Sequence, residues 1–283
     1  MPGTKLTILC ENTAGSMFGI TGEHGFSALV EKGEQKILFD TGQGFSLQHN
    51  ARMLGLRLEE VGHIVLSHGH YDHTGGLSQA LYPPRGVRIT AHPDVFQSKY
   101  AVLQTSAGQQ SRYIGLPYSR EYLEGSLGCS WDLRREFCEL GPGIFFSGEV
   151  PREQEYEVLD PRLQVLGENG LQPDPLWDDA SLLLETDSGP VVLLGCAHAG
   201  IINILRHFSS RTGHTSFKAV IGGTHLGVLE PGEKLDRILK ALDGFGLELV
   251  GVSHCTGPKA AAIGYQYFQE RFAFANAGWS AEF

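Results

Sequence analysis

Short apolar runs that lead to a histidine recur along the chain. Five such runs, each four to seven residues long and bounded by Gly, Ser or Pro, precede His68, His92, His198, His225 and His254. Runs of this length that are rich in β-branched residues are typical of buried strands. The hydrophobic pattern therefore predicts strands whose carboxyl ends carry imidazole side chains.

Amphipathic stretches lie between these runs. Residues 45–55, 233–243 and 258–270 have apolar positions at helical spacing, for example Leu235 and Ile238. Strands that alternate with helices favour a layered α/β fold, in which ligands bind beyond the carboxyl ends of the strands. We therefore expect the five histidines to converge on one sheet edge, although a polar residue at any single strand end needs no such explanation.

Residues 97–180 have a different character. Strand-like runs are sparse there, and aromatic, Gly and Pro residues are mixed, as in 113–117 and 141–143. A long stretch without clear elements is typical of a lid or of binding loops. We predict a single domain over residues 1–283, with an insertion at about 97–180 that covers the site.

Composition narrows the function classes. The 283 residues include 22 Lys and Arg against 32 Asp and Glu, which gives a formal net charge of −10, and 41% are hydrophobic. This apolar content argues against disorder, and no apolar run approaches the ~18–20 residues that span a bilayer. The acidic balance is weak evidence against a nucleic-acid partner. Five cysteines without a CxxC pair favour free thiols and a cytoplasmic location.

The strongest local signal is the segment 67–76, Ser-His-Gly-His-Tyr-Asp-His-Thr-Gly-Gly. Alternation along an extended turn puts His68 and His70 on one side. A helix that begins near His73 turns Asp72 and His73 toward a neighbouring point. The pattern predicts two adjacent metal positions, and these donors suit zinc, with iron, manganese and nickel as alternatives. The competing interpretation is a polar loop that happens to be rich in histidine.

The spacing His68-x-His70-x-Asp72-His73 resembles the metal signature of the metallo-β-lactamase superfamily. Upstream, the segment 39–42, Phe-Asp-Thr-Gly, is similar to the turn that precedes this signature in the superfamily. The resemblance extends from about residue 5 to 256. It implies an α/β fold, a four-layer αββα sandwich with a site for one or two divalent metal ions between the sheets.

Further segments narrow the resemblance. Together they look like the subfamily that contains the archaeal dihydropterin-(ribofuranosyl)aminobenzene phosphate synthase of methanopterin biosynthesis, with bacterial relatives of unassigned role. The segments are 23–27, 146–152, 178–182, 195–201, 222–226 and 254–257. This similarity points to the chemistry of a pterin or another phosphorylated aromatic compound.

The resemblance also implies two ligand sets. His68, His70 and a later histidine, for which His198 is the candidate, hold the first metal. Asp72, His73 and His254 hold the second. The chain departs from the superfamily at Cys196, which stands where many members have an aspartate that bridges the metals. A single metal, or a pair bridged only by water, therefore stays open.

Other residues have two interpretations each. Asp40 either orients a ligand histidine or caps a helix. His225 and Asp72 are candidates for acid–base catalysis, and His24 for the pocket lining, whereas His225 and His24 also suit satisfied polar positions. Asp179, next to Asp178, is either a ligand or base at the site or part of an acidic surface loop.

Glu149 and Arg152 form the last candidate pair. An arginine suits a phosphate or carboxylate because its guanidinium donates two parallel hydrogen bonds, so the two residues are candidates for clamping a substrate. An exposed pair in a turn explains them equally well. His92, which precedes Pro93, is typical of a structural residue.

These observations predict a metal-dependent, hydrolase-like enzyme that activates water or a phosphorylated small-molecule substrate. No segment matches a Walker phosphate loop, a GxSxG elbow or a dinucleotide-binding GxGxxG. Two alternatives stay open, an iron-dependent oxidoreductase of the dioxygenase type and a metal-binding module without turnover. We expect neither a nucleic-acid partner nor a membrane partner, and the sequence leaves a homo-oligomer open.

Overall fold

The computed structural model describes residues 3–106, 108–157 and 159–283. Within these residues the strands are β1 Thr4–Cys10, β2 Ser27–Lys32, β3 Gln35–Phe39, β4 His63–Val65, β5 Arg88–Ala91, β6 Lys99–Thr105, β7 Gly108–Tyr113, β8 Ser130–Leu133, β9 Cys138–Gly141, β10 Ile144–Phe146, β11 Leu163–Gly167, β12 Gly170–Pro173, β13 Ser181–Leu184, β14 Val191–Leu194, β15 Ala219–Gly223, β16 Leu249–Ser253, β17 Phe272–Phe274 and β18 Ser280–Glu282. The helices are α1 Leu47–Met53, α2 Tyr71–Thr74, α3 Leu77–Leu81, α4 Arg120–Gly125, α5 Ile201–Thr212, α6 Glu233–Asp243 and α7 Gly257–Phe268.

The three predicted helices are present with adjusted ends. The range 233–243 coincides with α6, whereas 45–55 is shortened to α1 and 258–270 is shifted to α7. Proline at 258 stands in the first turn of α7, where its missing N–H costs nothing. None of the helices in the described part of the chain has the length and apolar character needed to cross a membrane.

Two seven-stranded sheets form the body of the protein. The first has the order β18-β1-β2-β3-β4-β5-β8 and the second has the order β17-β16-β15-β14-β13-β10-β9. In each sheet, one side is parallel. These parallel strands are β3, β4, β5 and β8 in the first sheet and β14 to β17 in the second. The five apolar runs that lead to histidines are parallel strands of this kind, namely β4, β5, β14, β15 and β16.

Three apolar clusters define the layers. Ile8 and Phe39 of the first sheet share one cluster with Leu193 and Ile221 of the second. A second cluster joins the outer face of the first sheet to α1 and α3, and a third joins the outer face of the second sheet to α5, α6 and α7. The order helix, sheet, sheet, helix confirms the predicted αββα sandwich.

The range predicted as one insertion, about 97–180, is divided among three sheets. Strand β8 extends the first sheet, while β9 and β10 extend the second, so these segments belong to the sandwich. Strands β12, β11, β6 and β7, in that order, form a separate antiparallel sheet, which we call the third sheet. The prediction of a covering element therefore applies to the third sheet, because β8, β9 and β10 pair with strands of the sandwich.

Candidate metal centre

The segment 67–76, which we call the histidine loop, follows β4 and includes the short helix α2. His68 Nε2 lies 2.9 Å from His70 Nδ1, and the ring centroids of His68 and His73 are 4.2 Å apart. A Cβ atom at Gly69 would lie 2.5 Å from the carbonyl oxygen of Val95. The turn between the first two histidines therefore requires glycine, and it brings three buried imidazoles together.

The buried carboxylate of Asp40 contacts two residues of the histidine loop. It accepts hydrogen bonds from Ser67 N at 2.7 Å and Ser67 Oγ at 2.6 Å, and it lies 2.7 Å from His73 Nδ1. Burial opposes a charge on His73, but the carboxylate of Asp40 outweighs it and raises the pKa of His73 to about 9. Of the two interpretations of Asp40, the geometry matches a residue that orients a ligand histidine.

Three histidines at strand ends of the second sheet face the loop; we call His198, His225 and His254 the second-sheet histidines. The ring of His198 lies 4.9 Å from that of His68, and the ring of His254 lies 5.0 Å from that of His73. His225 and His254 have φ of 54° and 49°, in the left-handed region that non-glycine residues seldom adopt. These strained turns redirect the chain directly after β15 and β16.

Potential metal ligands form four groups in the described part of the chain, of which three share members and the fourth has members of its own. Within each group the donor atoms lie within 4.8 Å of one another: His68 with His70 and His198; His68 with His73 and Cys196; Cys196 with His198 and His225; and His24 with Asp72 and His254. The first group is the set predicted for the first metal. The predicted second set is divided between two groups: Asp72 and His254 lie with His24, whereas His73 lies with His68 and Cys196, its Nε2 being 3.2 Å from Cys196 Sγ.

The chemistry of this cluster fits a metal ion. His70 Nε2 and both ring nitrogens of His198 and of His225 are buried, and none has a hydrogen-bond partner among the described residues. Burial lowers the pKa of His68 and His198 well below the usual range and that of His70 to about 3. Neutral imidazoles retain the lone pair that a metal ligand donates, and an ion would satisfy the otherwise costly unpaired nitrogens.

Asp72 lies between two imidazoles. One carboxylate oxygen is 3.1 Å from His24 Nε2 and 3.3 Å from His254 Nε2. Burial alone would raise the pKa of Asp72, but hydrogen bonds from His24 and His254 hold it well below the usual range. Asn12, which the sequence analysis missed, lies 2.8 Å from the other ring nitrogen of His254 and fixes its orientation.

Cys196 occupies a central place in the cluster. Its Sγ belongs to two of the four groups, one with His73 of the histidine loop and one with the second-sheet histidines His198 and His225. Burial raises the pKa of this thiol. A bound cation favours the thiolate, so sulfur coordination and metal binding would support one another here.

A buried ion-pair network that the sequence analysis missed supports the histidine loop. Lys99 Nζ donates to Asp174 at 2.8 Å and to Asp178 at 2.9 Å. The other oxygen of Asp178 accepts the N–H of Gly69 at 2.8 Å. The network thus ties β6 of the third sheet to the turn between His68 and His70. Lys99 gave no sequence signal because its partners stand 75 and 79 positions away.

Asp179 is buried beside the turn that carries His198. Its Oδ2 accepts the N–H of Ala199 at 2.9 Å, while Oδ1 has no hydrogen-bond partner in the described part of the chain. Burial raises the pKa of Asp179 to about 6. The structure thus places Asp179 against the backbone of a candidate ligand turn and not in an acidic surface loop.

Three candidates lie outside the cluster. Glu149 lies 3.0 Å from His92 Nε2 and accepts from Arg135 at 2.8 Å, so the carboxylate and His92 satisfy one another away from the metal ligands. Arg152 donates to the carbonyl of Leu176, and its guanidinium stacks on Trp177. The structure therefore does not bring Glu149 and Arg152 together as a substrate clamp, and of the five strand-end histidines His92 does not join the others.

A pocket of about 380 Å³ opens over the cluster. His24, Asp72, Cys196 and the second-sheet histidines line one side, and residues of the third sheet line the other. No sequence signal pointed to three further polar lining residues, Arg112 of β7 and Asp160 and Arg162, which precede β11. Asp160 lies 4.0 Å from His225 Nε2 and accepts hydrogen bonds from Arg162.

Comparison with known proteins supports the motif-based resemblance. A family model described as the metallo-β-lactamase superfamily matches residues 20–222. The chain is 31% identical to a 7,8-dihydropterin-6-methyl-4-(β-D-ribofuranosyl)-aminobenzene-5′-phosphate synthase of Methanocaldococcus jannaschii, over 97% of this chain and 95% of the relative. It is 34% identical to an uncharacterized protein of the same organism, over 90% and 91% of the two chains.

The fold also matches a solved structure. A crystal structure described as a metal-dependent hydrolase of the β-lactamase superfamily superimposes with a TM-score of 0.83 at 31% identity, over 99% of each chain. A diphosphatase of the PhnP family, at 15% identity and a TM-score of 0.53, shares the fold alone. The sequence relatives and the fold therefore agree on one family.

Proposed function

Because this chain belongs to the metallo-β-lactamase superfamily, we propose that it is a metal-dependent, hydrolase-like enzyme that acts on a phosphorylated small molecule. The observation that carries the proposal is the set of buried, neutral and unpartnered imidazole nitrogens at His70 and His198, which face one pocket. A purely structural cluster would pair these atoms with protein acceptors or donors.

His68, His70 and His198 are the proposed ligands of one ion. Asp72, His73 and His254 are the proposed ligands of a second, with His24 and Cys196 as adjacent donors. Zinc is the proposed metal, since imidazole, thiolate and carboxylate all suit it, and iron, manganese and nickel share the nitrogen and oxygen preference. A divalent ion held there supplies a water molecule of lowered pKa or polarises a substrate oxygen.

Side chains of the protein are the proposed groups that transfer protons and orient the ligands. Asp72 is the proposed proton acceptor, because His24 and His254 keep its carboxylate ionised at the pocket surface. His225 is the proposed proton donor to a leaving group, since both of its ring nitrogens lack a hydrogen-bond partner among the described residues and it lines the pocket. Asp40 and Asp179 orient His73 and the turn of His198, respectively.

A second candidate function rests on the pterin relative. The 31% identity to the M. jannaschii synthase spans nearly all of both chains. A transferase that joins a pterin to a phosphorylated aromatic compound would use the same pocket and metal ligands. Both candidate functions require a small-molecule substrate. The five free cysteines are consistent with the proposed cytoplasmic location.

Metal analysis tests the proposal first. Protein purified without added metal is expected to contain one or two transition-metal ions per chain, and His68→Ala with His70→Ala is expected to remove the ion that these residues hold. His214→Ala is the matched control, because His214 pairs with Glu185 outside the cluster. Unchanged metal content in the double variant would exclude the ligand assignment.

Activity then separates the two candidate functions. Metal-loaded protein is assayed with phosphate monoesters and diesters, and separately with pterin pyrophosphates and phosphorylated aromatic amines. Hydrolysis that depends on His68 supports the first function, whereas coupling with release of pyrophosphate supports the second. A metal-loaded protein that is inactive toward both substrate classes would contradict the enzymatic proposal.

A further inference from the structure

The face of the third sheet that lines the pocket is apolar at one end and cationic at the other. Backbone pairing places Ala101 of β6 opposite Leu163 of β11 on one side and opposite Arg112 of β7 on the other. Side chains directly opposite one another in an antiparallel sheet share a face. These three residues therefore form a row, and all of them line the pocket. Leu103, two positions along β6, extends the apolar part of this face.

The cationic end of the row is fixed relative to the histidine loop. The N–H of Tyr71 donates to the carbonyl of Ile114 at 2.9 Å, and the N–H of Ile114 donates to the carbonyl of Lys99 at 2.9 Å. Arg112 is two residues from this anchor, and its Cζ lies 5.7 Å from the ring centroid of Tyr71. Tyr71 stands between two candidate ligands in sequence, so Arg112 lies one side chain away from the metal cluster.

Arg112 also differs from the second arginine of the pocket in its charge balance. Arg162 makes three hydrogen bonds to the Asp160 carboxylate through Nε and Nη2, so its charge is compensated. Among the described residues, no carboxylate forms an ion pair with Arg112, and its guanidinium lies over the face of Tyr71. Its planar fork is therefore free to bind an oxyanion with two parallel hydrogen bonds.

We propose that Arg112 binds an oxyanion on a part of the substrate that does not react at the metal positions. The group is a phosphate monoester or a carboxylate, and the apolar body of the same molecule lies on Ala101, Leu103 and Leu163. Identifying the occupant as a substrate rests on the proposed function, whereas anion binding by Arg112 does not. The inference assigns a specificity role to a residue outside the metal ligands.

The test measures binding and not turnover. Full-length protein, as purified and after chelation of metals, is titrated calorimetrically with phenyl phosphate, benzoate and the neutral analogue benzamide. Arg112→Met is expected to weaken phenyl phosphate binding about tenfold or more in both preparations, because a hydrogen bond to a charged group is lost. Arg112→Lys is expected to retain part of the affinity, because the charge remains without the fork.

Arg120→Met is the matched control. Arg120 also stacks on an aromatic ring, with its Cζ 5.5 Å from the centroid of Phe96, but it pairs with Glu124 and does not line the pocket. A larger loss for phenyl phosphate than for benzoate in Arg112→Met identifies a phosphate ligand, and equal losses identify a carboxylate-sized oxyanion. No binding to the wild type, or equal affinity in the wild type and Arg112→Met, overturns the inference. Either result is independent of whether the protein hydrolyses anything.

Discussion

The two sides of the candidate metal centre are held in different ways. On the first-sheet side, the histidine loop is fixed by protein hydrogen bonds, through Asp40 to Ser67 and His73 and through Asp178 to Gly69. On the second-sheet side, the ring nitrogens of His198 and His225 have no hydrogen-bond partner among the described residues. One side is therefore preorganised by the protein, and the other is completed by what binds between them.

Because of this difference, substitutions on the two sides should affect different quantities, the folding free energy on one side and metal binding on the other. Removing a partner on the preorganised side leaves buried donors or charges unpaired, which costs folding free energy even without metal. Removing the imidazole of His198 or of His225 breaks no hydrogen bond with a described residue, so its effect should emerge only when an ion is present. The proposed ligand roles and the observed hydrogen bonds can thus be tested independently.

The largest effect is expected at Asp40. Asp40→Ala leaves Ser67 N, Ser67 Oγ and His73 Nδ1 without their acceptor in a fully buried place. We expect a loss of about 3–5 kcal/mol in the free energy of unfolding, the cost of breaking a buried pair. The measurement is denaturant unfolding of metal-depleted protein followed by circular dichroism.

Asp40→Asn is the control for this prediction. Asp40 has φ of 58°, a conformation that asparagine tolerates better than alanine does, and the amide keeps one oxygen acceptor. The asparagine variant should therefore be more stable than the alanine variant. An alanine variant within about 1 kcal/mol of the wild type would mean that the protein does not preorganise this side.

The same contrast explains how much the sequence could reveal. The potential ligands of the histidine loop are adjacent in sequence, so their spacing alone predicts a metal site. His198, His225 and His254 were visible because each follows an apolar run, and parallel strands bring their carboxyl ends to one edge.

Residues that depend on tertiary pairing were not visible. Arg112 faces the pocket only because β7 pairs with β6 in one register, and a shift of one residue would turn it outward. Glu149 looked like a substrate clamp from its residue type, yet Arg135 and His92 satisfy it in the fold. Local sequence encodes donor type, while distant pairing decides which donors meet.

A second, intermediate effect is expected at Glu157, which supports the second-sheet side. Its carboxylate accepts the N–H groups of Ile202 and Asn203 at the start of α5, the helix that follows the turn of His198. Burial raises the pKa of Glu157 from 4.5 to about 7. Because the folded state binds the proton more tightly, Glu157 makes the protein less stable as pH rises from about 4.5 to 7, by at most about 3 kcal/mol.

Glu157→Gln removes this titration. Unfolding free energies measured at several pH values between 4.5 and 7 should show a smaller decline in the variant than in the wild type. Glu153→Gln is the control, because Glu153 stands on the same segment and its side chain forms no ion pair with a described residue. Parallel pH profiles for wild type and Glu157→Gln would show that this carboxyl titrates normally in the fold.

The smallest effect on the metal-free protein is expected at His198. His198→Ala removes an imidazole that has no hydrogen-bond partner in the described part of the chain, so the free energy of unfolding should change by less than about 1 kcal/mol after chelation. His207→Ala is the matched control: His207 is also buried and bonds the carbonyl of Ser147 at 2.9 Å, so its loss should cost about 1–3 kcal/mol.

Added zinc reverses the order of these two variants. An ion that binds only the folded state stabilises it in proportion to the logarithm of its concentration over its dissociation constant. His207→Ala keeps the proposed ligands and should gain this stabilisation, whereas His198→Ala should gain much less. If both variants respond to zinc as the wild type does, then His198 is not a ligand, and the open nitrogens on the second-sheet side serve the substrate and not the metal.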